Sequence, residues 1–376
     1  MPFDILYIGF VLGHGGDAHQ MLELAAGMQR RGKRVKIAVP CLPTTELFAS
    51  LCAKRGVEVE RTQLILADPI NPPSQNPDLL AALFTQNPAS LYHLHTGDVC
   101  LSRSVPGVPA RLGIDPSRIV VTVHGAYDTL TPGDARANAW SAAARDLIGS
   151  ITTPSLHALN TQLSYGVLRE RLIHIANGID VTRFGNGNAS KVRLELGLQE
   201  EEILIVFASR LDSQKRPLDA LQAFIKISGE LPFAHLAFVG DGALEPEITH
   251  NIQSADLENR IHMAGHRSDV ADWLAAADVW MLPTESENFS LAVLEAMAAG
   301  CPMLTTLCRG NDEVLVEGRN ALIHAIGDVD EMVSKLHTLL TDAELRSALG
   351  RNAKADVQEY SLDGMVEQYA QLYAEL

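Results

Sequence analysis

Apolar residues along this chain come in two textures: short continuous runs, and longer stretches in which they recur every three or four positions. "DILYIGFVL" opens the sequence as an apolar strand. "DAHQMLELAAGMQRR" follows with helical spacing and stops at Gly32. "KRVKIAVP", "SLYHLHT" and "RIVVTVHG" read as further strands, the last rich in β-branched residues. Short apolar runs separated by helical patterns predict a parallel sheet with crossover helices. The second half repeats the scheme. "EILIVFASRL" is a strand and "PLDALQAFIKIS" a helix with Pro217 in its first turn. "AHLAFVGDG" is a strand, "DVADWLAAAD" a helix and "VWMLPT" a strand. "SLAVLEAMAAG" is a helix closed by Gly300, and "CPMLTTL" is another strand. The last forty residues look wholly helical.

Between the halves, "NGIDVTRFGNGNAS" is rich in Gly and Asn and reads as a linker, with Gly178, Gly185 and Gly187 as candidate hinge points. The pattern therefore predicts two doubly wound α/β domains facing each other across a cleft. They cover residues 1–180 and 181–355, and a helix at 356–376 is placed to cross back to the first domain. In such sheets ligands bind beyond the carboxyl ends of the strands, beside the following helix N-termini.

Charge sharpens the division. The net charge is −16, which argues against nucleic acid as the main partner. Residues 1–185 sum to +1 and residues 186–376 to −17, so the halves differ electrostatically. No run approaches the ~20 apolar residues of a membrane span, and no signal peptide is read at the start. The five cysteines, Cys41, Cys52, Cys100, Cys301 and Cys308, show no CxxC spacing. That fits a reducing, cytoplasmic setting and not a structural zinc site.

Candidate chemistry gathers at predicted strand ends. In "TESENFSLAVLEAMAAG", Glu285 and Glu287 fall on a loop after a strand, and Glu295 falls about one turn inside the helix that begins near Ser290. The open N–H groups of that first turn make an anion site. A phosphate on the amides and sugar hydroxyls on the carboxylates would use every group. The plainer alternative is a Glu295 that pairs locally, with Glu285 and Glu287 solvated. "FASRLDSQKRPLDAL" puts Arg210 at a strand end and Lys215 five residues on. A guanidinium fork and an ammonium suit a diphosphate, although an exposed pair on a loop is the plainer reading. In "GHGGDAHQ", Gly13, Gly15 and Gly16 let backbone amides approach a ligand closely.

With these segments in order, the chain resembles the family-4 retaining glycosyltransferases of the GT-B fold. The resemblance spans nearly the whole sequence. It rests on "GHGG", "VTVHG", "ANGIDVTRF", "SRLDSQKRP", "FVGDG", "MAGHRSDVADWLAAADVWMLPT" and "ESENFSLAVLEAMAAGCP", the last carrying Glu287 and Glu295 eight positions apart. It implies that Arg210 and Lys215 bind the diphosphate of a nucleotide-sugar donor and that Glu295 holds the ribose. Glu287, with the amides of Asn288, Phe289 and Ser290, would hold the donor sugar. Leu291 and Ala292 would offer amides to the distal phosphate. His124 would contact the sugar near the reacting carbon. Gly15 and Gly16 would close over the phosphates, and the loop Gly265–Arg267, with His266, would flank the base. Ser209, Asn288 and Ser290 stand where the family often has Gly, and the last two put the identity of the sugar in doubt.

The resemblance also implies retention, no required metal or other cofactor, and a UDP-sugar in preference to a GDP-sugar. The acceptor would be a small molecule, a glycan or a lipid-linked hydroxyl, shaped by loops at 68–78 and 126–135. His124 is open to a second role as a base and to a purely structural one. Arg30, Arg31, Lys33, Arg34 and Lys36 form a basic stretch suited to an anionic lipid surface. The stronger reading is that cations favour a helix C-terminus, with Gly32 supplying the cap. His93 and His95 share one strand face, without the further ligands a metal needs. Trp140, Trp273 and Trp280 read as core. Two other classes remain: a binding protein for sugar nucleotides, and a two-domain nicotinamide-dependent dehydrogenase. The latter lacks GxGxxG with an acid about 20 residues on.

Overall fold

The computed structural model describes residues 2–10, 15–42, 45–62, 77–96, 104–125 and 133–376. The chain folds as two units, Met1–Gly178 with Leu362–Leu376, and Ile179–Ser361. Residues 356–361 thus stay with the second unit, and the return to the first begins at Leu362.

The first unit is built on seven parallel strands: β1 (Phe3–Gly9), β2 (Val35–Pro40), β3 (Glu58–Thr62), β4 (Ala89–Thr96), β5 (Ile119–Val123), β6 (Ser150–Thr153) and β7 (Leu172–His174). Their order is β3-β2-β1-β4-β5-β6-β7. Helices α1 (Gly16–Arg30), α2 (Glu46–Lys54), α3 (Pro77–Gln86), α4 (Ser104–Arg111), α5 (Ala135–Leu147) and α6 (Leu156–Ser164) make the crossovers. The central strands are buried on both faces, which is why they read as continuous apolar runs and not as alternation. One core forms beneath α3, α5 and α6, around Leu6, Ile8, Trp140 and Phe84. The other forms beneath α1, around Tyr7, Met21 and Ile37, and includes Met365, Val366 and Tyr369 from the C-terminal segment.

The second unit begins with α7 (Val181–Gly185) and α8 (Ala189–Leu196). Six parallel strands follow: β8 (Ile203–Ala208), β9 (Ala234–Val239), β10 (Ile261–Gly265), β11 (Val279–Leu282), β12 (Met303–Thr306) and β13 (Leu322–His324). Their order is β10-β9-β8-β11-β12-β13. The helices are α9 (Pro217–Ser228), α10 (Glu245–Ser254), α11 (Val270–Ala276), α12 (Leu291–Ala299), α13 (Val329–Thr341) and α14 (Ala343–Asp356). Helix α15 (Leu362–Glu375) closes the chain in the first unit.

The stretch read as a linker is folded. Asp180 caps α7 through the Arg183 amide, and Asn188 caps α8 through the Lys191 amide. A Cβ at Gly187 would overlap the Ala271 carbonyl of α11, so this glycine serves close packing. Gly178 is held in the first unit by Gln20, whose amide nitrogen donates to its carbonyl at 2.7 Å. The next residue, Ile179, bridges in parallel to Ser361 in the second unit.

The three tryptophans are core, each 0–1% exposed. The basic stretch does not form one patch. Arg31 pairs with Glu367 at 2.6 Å, Arg34 with Asp4 at 3.2 Å, and Lys36 lies between Glu58 and Glu60. Among the described residues, no helix is long and apolar enough to cross a membrane.

Candidate functional site

In both sheets the strand order reverses once, between β1 and β4 and between β8 and β11. Connections leave in opposite directions at such a point, and the divergence opens a crevice at the strands' carboxyl ends. In the second unit the turn after β8 carries Arg210 and Lys215, and the turn after β11 carries Glu285 to Ser290.

These two turns are tied together. The Glu285 amide donates to the Gln214 carbonyl at 2.8 Å. The Gln214 side-chain nitrogen donates to the Ser286 carbonyl at 2.8 Å. Lys215 Nζ stands 2.6 Å from Glu287 Oε1, with side chains 11% and 10% exposed. Lys215 is aimed by the turn behind it: Asp212 accepts from the Lys215 amide at 3.1 Å, and Arg216 takes the left-handed conformation, φ 52°. Arg210 is the more open cation, 59% exposed. Its Nη1 meets Asp212 Oδ2 at 2.5 Å, and its Nη2 donates to Gln214 Oε1 at 3.2 Å. Gln214 and Asp212 thus organise the pair. Sequence reading passed over them, although Asp three residues before Lys is a capping spacing.

Helix α12 starts where its sequence requires. Ser290 is the N-cap, accepting from the Val293 amide, and Gly300 ends the helix at φ 77°. Leu291 and Ala292 lie in the first turn, ahead of the i→i−4 ladder. Phe289 is buried against Tyr360, ring centroids 5.4 Å apart, and anchors the loop. A Cβ at Gly310 would overlap the Asn288 carbonyl, so the loop after β12 presses on the same turn. Glu295 is half-buried. Burial pushes its carboxyl up to about 7, opposed by the Arg183 charge from α7.

The remaining second-unit candidates lie after β10. His266 is exposed. Arg267 is committed to neighbours: it bonds Asp269 at 2.9 Å and Glu195 at 2.9 Å, and lies over the Trp273 ring at 5.3 Å. Hydrogen bonding to Arg267 holds the Asp269 carboxyl far below its usual range. The Arg267 guanidinium is therefore a strut for this loop.

In the first unit, Gly15 caps α1 and Gly16 begins it. His124 follows β5, and its amide donates to the Thr96 carbonyl at 2.8 Å. Its Nε2 lies 2.8 Å from Nδ1 of His95. His93 Nδ1 meets the Tyr373 hydroxyl at 2.6 Å, and its Nε2 meets Thr122 Oγ1 at 2.7 Å. Burial pushes His93 and His95 well below the usual imidazole range and His124 down to about 4, the last opposed by Asp17. His93 and His95 are core residues, and no metal-holding cluster occurs among the described residues. Gly13 and most of the loops 68–78 and 126–135 lie outside the described residues.

Two Rossmann-like parallel-sheet units, with cations and acids at the order reversal of the second, define the GT-B class. The chain belongs to the glycosyltransferases: residues 14–183 match the model described as "Glycosyltransferase Family 4", and residues 189–356 match "Glycosyl transferases group 1". It is 26% identical over 372 residues to N-acetyl-alpha-D-glucosaminyl L-malate synthase of Bacillus anthracis, covering 90% of this chain and 97% of that one. It is 27% identical over 209 residues, 54% of each chain, to UDP-Gal:alpha-D-GlcNAc-diphosphoundecaprenol alpha-1,3-galactosyltransferase of Escherichia coli. The fold is similar to that of Anabaena Alr3699/HepE in complex with UDP and glucose, with TM-score 0.82, 20% identity and 100% of each chain covered. Membership in this family removes the dehydrogenase alternative.

Proposed function

We propose that the protein moves a hexose-type sugar from a UDP-sugar to an acceptor hydroxyl, with retention at the anomeric carbon. The observation that carries this reading is the joining of two turns at the β8/β11 reversal, where Lys215 meets Glu287 beside Arg210 and the first turn of α12. A nucleotide-diphosphate sugar matches these groups one by one. The phosphates take Arg210, Lys215 and the amides of Leu291 and Ala292. The ribose takes Glu295. The sugar takes Glu287 and the amides of Asn288, Phe289 and Ser290. His124, Gly15 and Gly16 supply further donor contacts, and His266 and Arg267 flank the base.

When the bond between the anomeric carbon and the β-phosphate oxygen breaks, negative charge builds on the departing diphosphate. One cation at about 4 Å and an effective dielectric near 20 offers about 4 kcal/mol before desolvation. Two such cations do the work of a metal ion, so turnover is metal-independent. The acceptor oxygen bonds the same carbon on the same face, and its proton passes to the departing phosphate oxygen. A double displacement would need a carboxylate nucleophile beneath the ring.

UDP is favoured because HepE holds UDP and glucose and the Escherichia coli relative is named for UDP-Gal. The relatives' names range from an L-malate synthase to a diphosphoundecaprenol-linked galactosyltransferase, so a small-molecule, glycan or lipid-linked acceptor fits. A cytoplasmic location suits four free cysteines among the described residues. Thermal-shift screening with UDP, GDP, ADP and their sugars tests the donor, and radiolabelled donors with and without EDTA test turnover. Stabilisation by UDP and unchanged transfer in EDTA are expected. Stabilisation without transfer or donor hydrolysis would make this a binding protein, and no response to any nucleotide would end the reading.

A further inference from the structure

We propose that His95 is a positioning residue that fixes the tautomer of His124, so that His124 serves the donor site as an Nδ1–H hydrogen-bond donor and not as a base. The proposal rests on the reading of His124 as a donor-sugar contact.

His95 stands near the end of β4 and is 1% exposed. Its Nδ1 is 2.8 Å from His124 Nε2, and the two rings lie nearly parallel, 24° apart. One proton sits between these nitrogens, since a neutral imidazole has one donor and one acceptor. Two arrangements exist. If His124 donates, neutral His95 must carry its proton on Nε2. If His95 donates, its Nε2 is bare. That Nε2 is buried and has no hydrogen-bond partner among the described residues. A proton there would be a buried donor with nothing to accept it, the kind of group native interiors exclude most strictly.

Both rings are neutral near pH 7, because burial pushes His95 well down and His124 to about 4.

The His95 ring is held in place. Its centroid lies 4.1 Å from that of His93, the rings tilted by 41°, and the two His93 nitrogens are both taken, by Tyr373 of α15 and by Thr122 of β5. The C-terminal helix therefore steadies His93, and His93 steadies His95. With Nε2 accepting from His95, neutral His124 carries its proton on Nδ1. Its only lone pair is engaged, so the acceptor's proton must leave by another route. The departing phosphate oxygen provides one.

Long-range proton–nitrogen correlation spectra of 15N-histidine-labelled full-length protein near pH 7 read the tautomer directly, with His124→Asn assigning the signals. The expected result is a protonated Nδ1 and a bare Nε2 on His124; a protonated Nε2 overturns the proposal without any measurement of activity. His95→Asn keeps a donor at the Nδ1 position, and His95→Phe removes it. His95→Asn is expected to keep the tautomer and hold kcat within about 3-fold. His95→Phe is expected to release the tautomer and lower kcat by about 10–100-fold, as loss of an orienting partner typically does. A retained tautomer in His95→Phe, or a lost one in His95→Asn, also overturns the proposal. A released tautomer with kcat and KM unchanged sinks instead the reading of His124 as a donor contact.

Discussion

Lys215 Nζ and Glu287 Oε1 lie 2.6 Å apart, each on a side chain only about one-tenth exposed. The cation proposed for the diphosphate and the acid proposed for the sugar hold each other directly. Removing one partner of a buried pair leaves an uncompensated charge.

Glu287→Gln should therefore lower stability by about 3 kcal/mol. UDP, bringing its own negative charge to Lys215, should restore more of the melting temperature in this variant than in the unmodified protein. Differential scanning fluorimetry with and without UDP reads both effects. Equal UDP shifts in the two proteins would mean that Lys215 does not meet the diphosphate.

Arg210 is 59% exposed and, among the described residues, bonded only within its own turn. Arg210→Ala should leave stability within about 0.5 kcal/mol and lower turnover by about 10²–10³, the typical cost of one well-placed electrostatic donor. Near-normal transfer by the purified variant would remove Arg210 from the mechanism.

Glu295 gives a pH signature. Its folded pKa of about 7 lies above the ordinary carboxyl value of 4.5, so the folded chain keeps a proton that the unfolded chain releases. Stability from this group is fully present below about pH 4.5 and falls as pH rises to about 7, above which it is flat. Glu295→Gln should match the unmodified protein near pH 5 and exceed it near pH 8 by on the order of 1–3 kcal/mol. A carboxylate accepts two ribose hydroxyls better than a carboxylic acid does, so UDP-glucose should bind more tightly near pH 8 than near pH 6. Melting curves and calorimetric titrations at these pH values check both, and a pH-independent affinity would count against a ribose contact.

Tyr373 on α15 donates to or accepts from buried His93 at 2.6 Å. Tyr373→Phe leaves a buried nitrogen unsatisfied and should cost about 1–2 kcal/mol, seen as a lower urea midpoint with an unchanged slope. No loss would mean that α15 is held by apolar packing alone.

Much of this molecule was legible in one dimension. β1, β4, β5, β8, β9, β11 and β12 were each marked by an apolar run, because a strand buried on both faces admits little else. The Ser290 cap, the Gly300 stop and Pro217 in the first turn of α9 are local chemistry and fell where expected. β3, β7, β10 and β13 gave no signal. β7 and β13 span three residues each, too few for a period to register, while "EVERT" in β3 is polar. The Gly- and Asn-rich stretch at 177–190 does hold the crossing between the units, at Gly178 and Ile179, but from Val181 on it is mostly helical. Its asparagine and glycines serve a helix cap and close packing, and composition does not separate those uses from a flexible linker.

The sequence by itself determined two α/β halves and the set of charged residues that stand at their strand ends, since periodicity, turn chemistry and motif spacing act between near neighbours. Only the tertiary structure decided which of those residues meet. Lys215 found Glu287 across 72 positions, and His95 found His124 across 29. Tyr373 came back from the far end of the chain to His93 across 280. Whether a charge is buried, paired or raised in pKa depends on atoms that only folding brings within a few ångströms, and no local pattern carries that information.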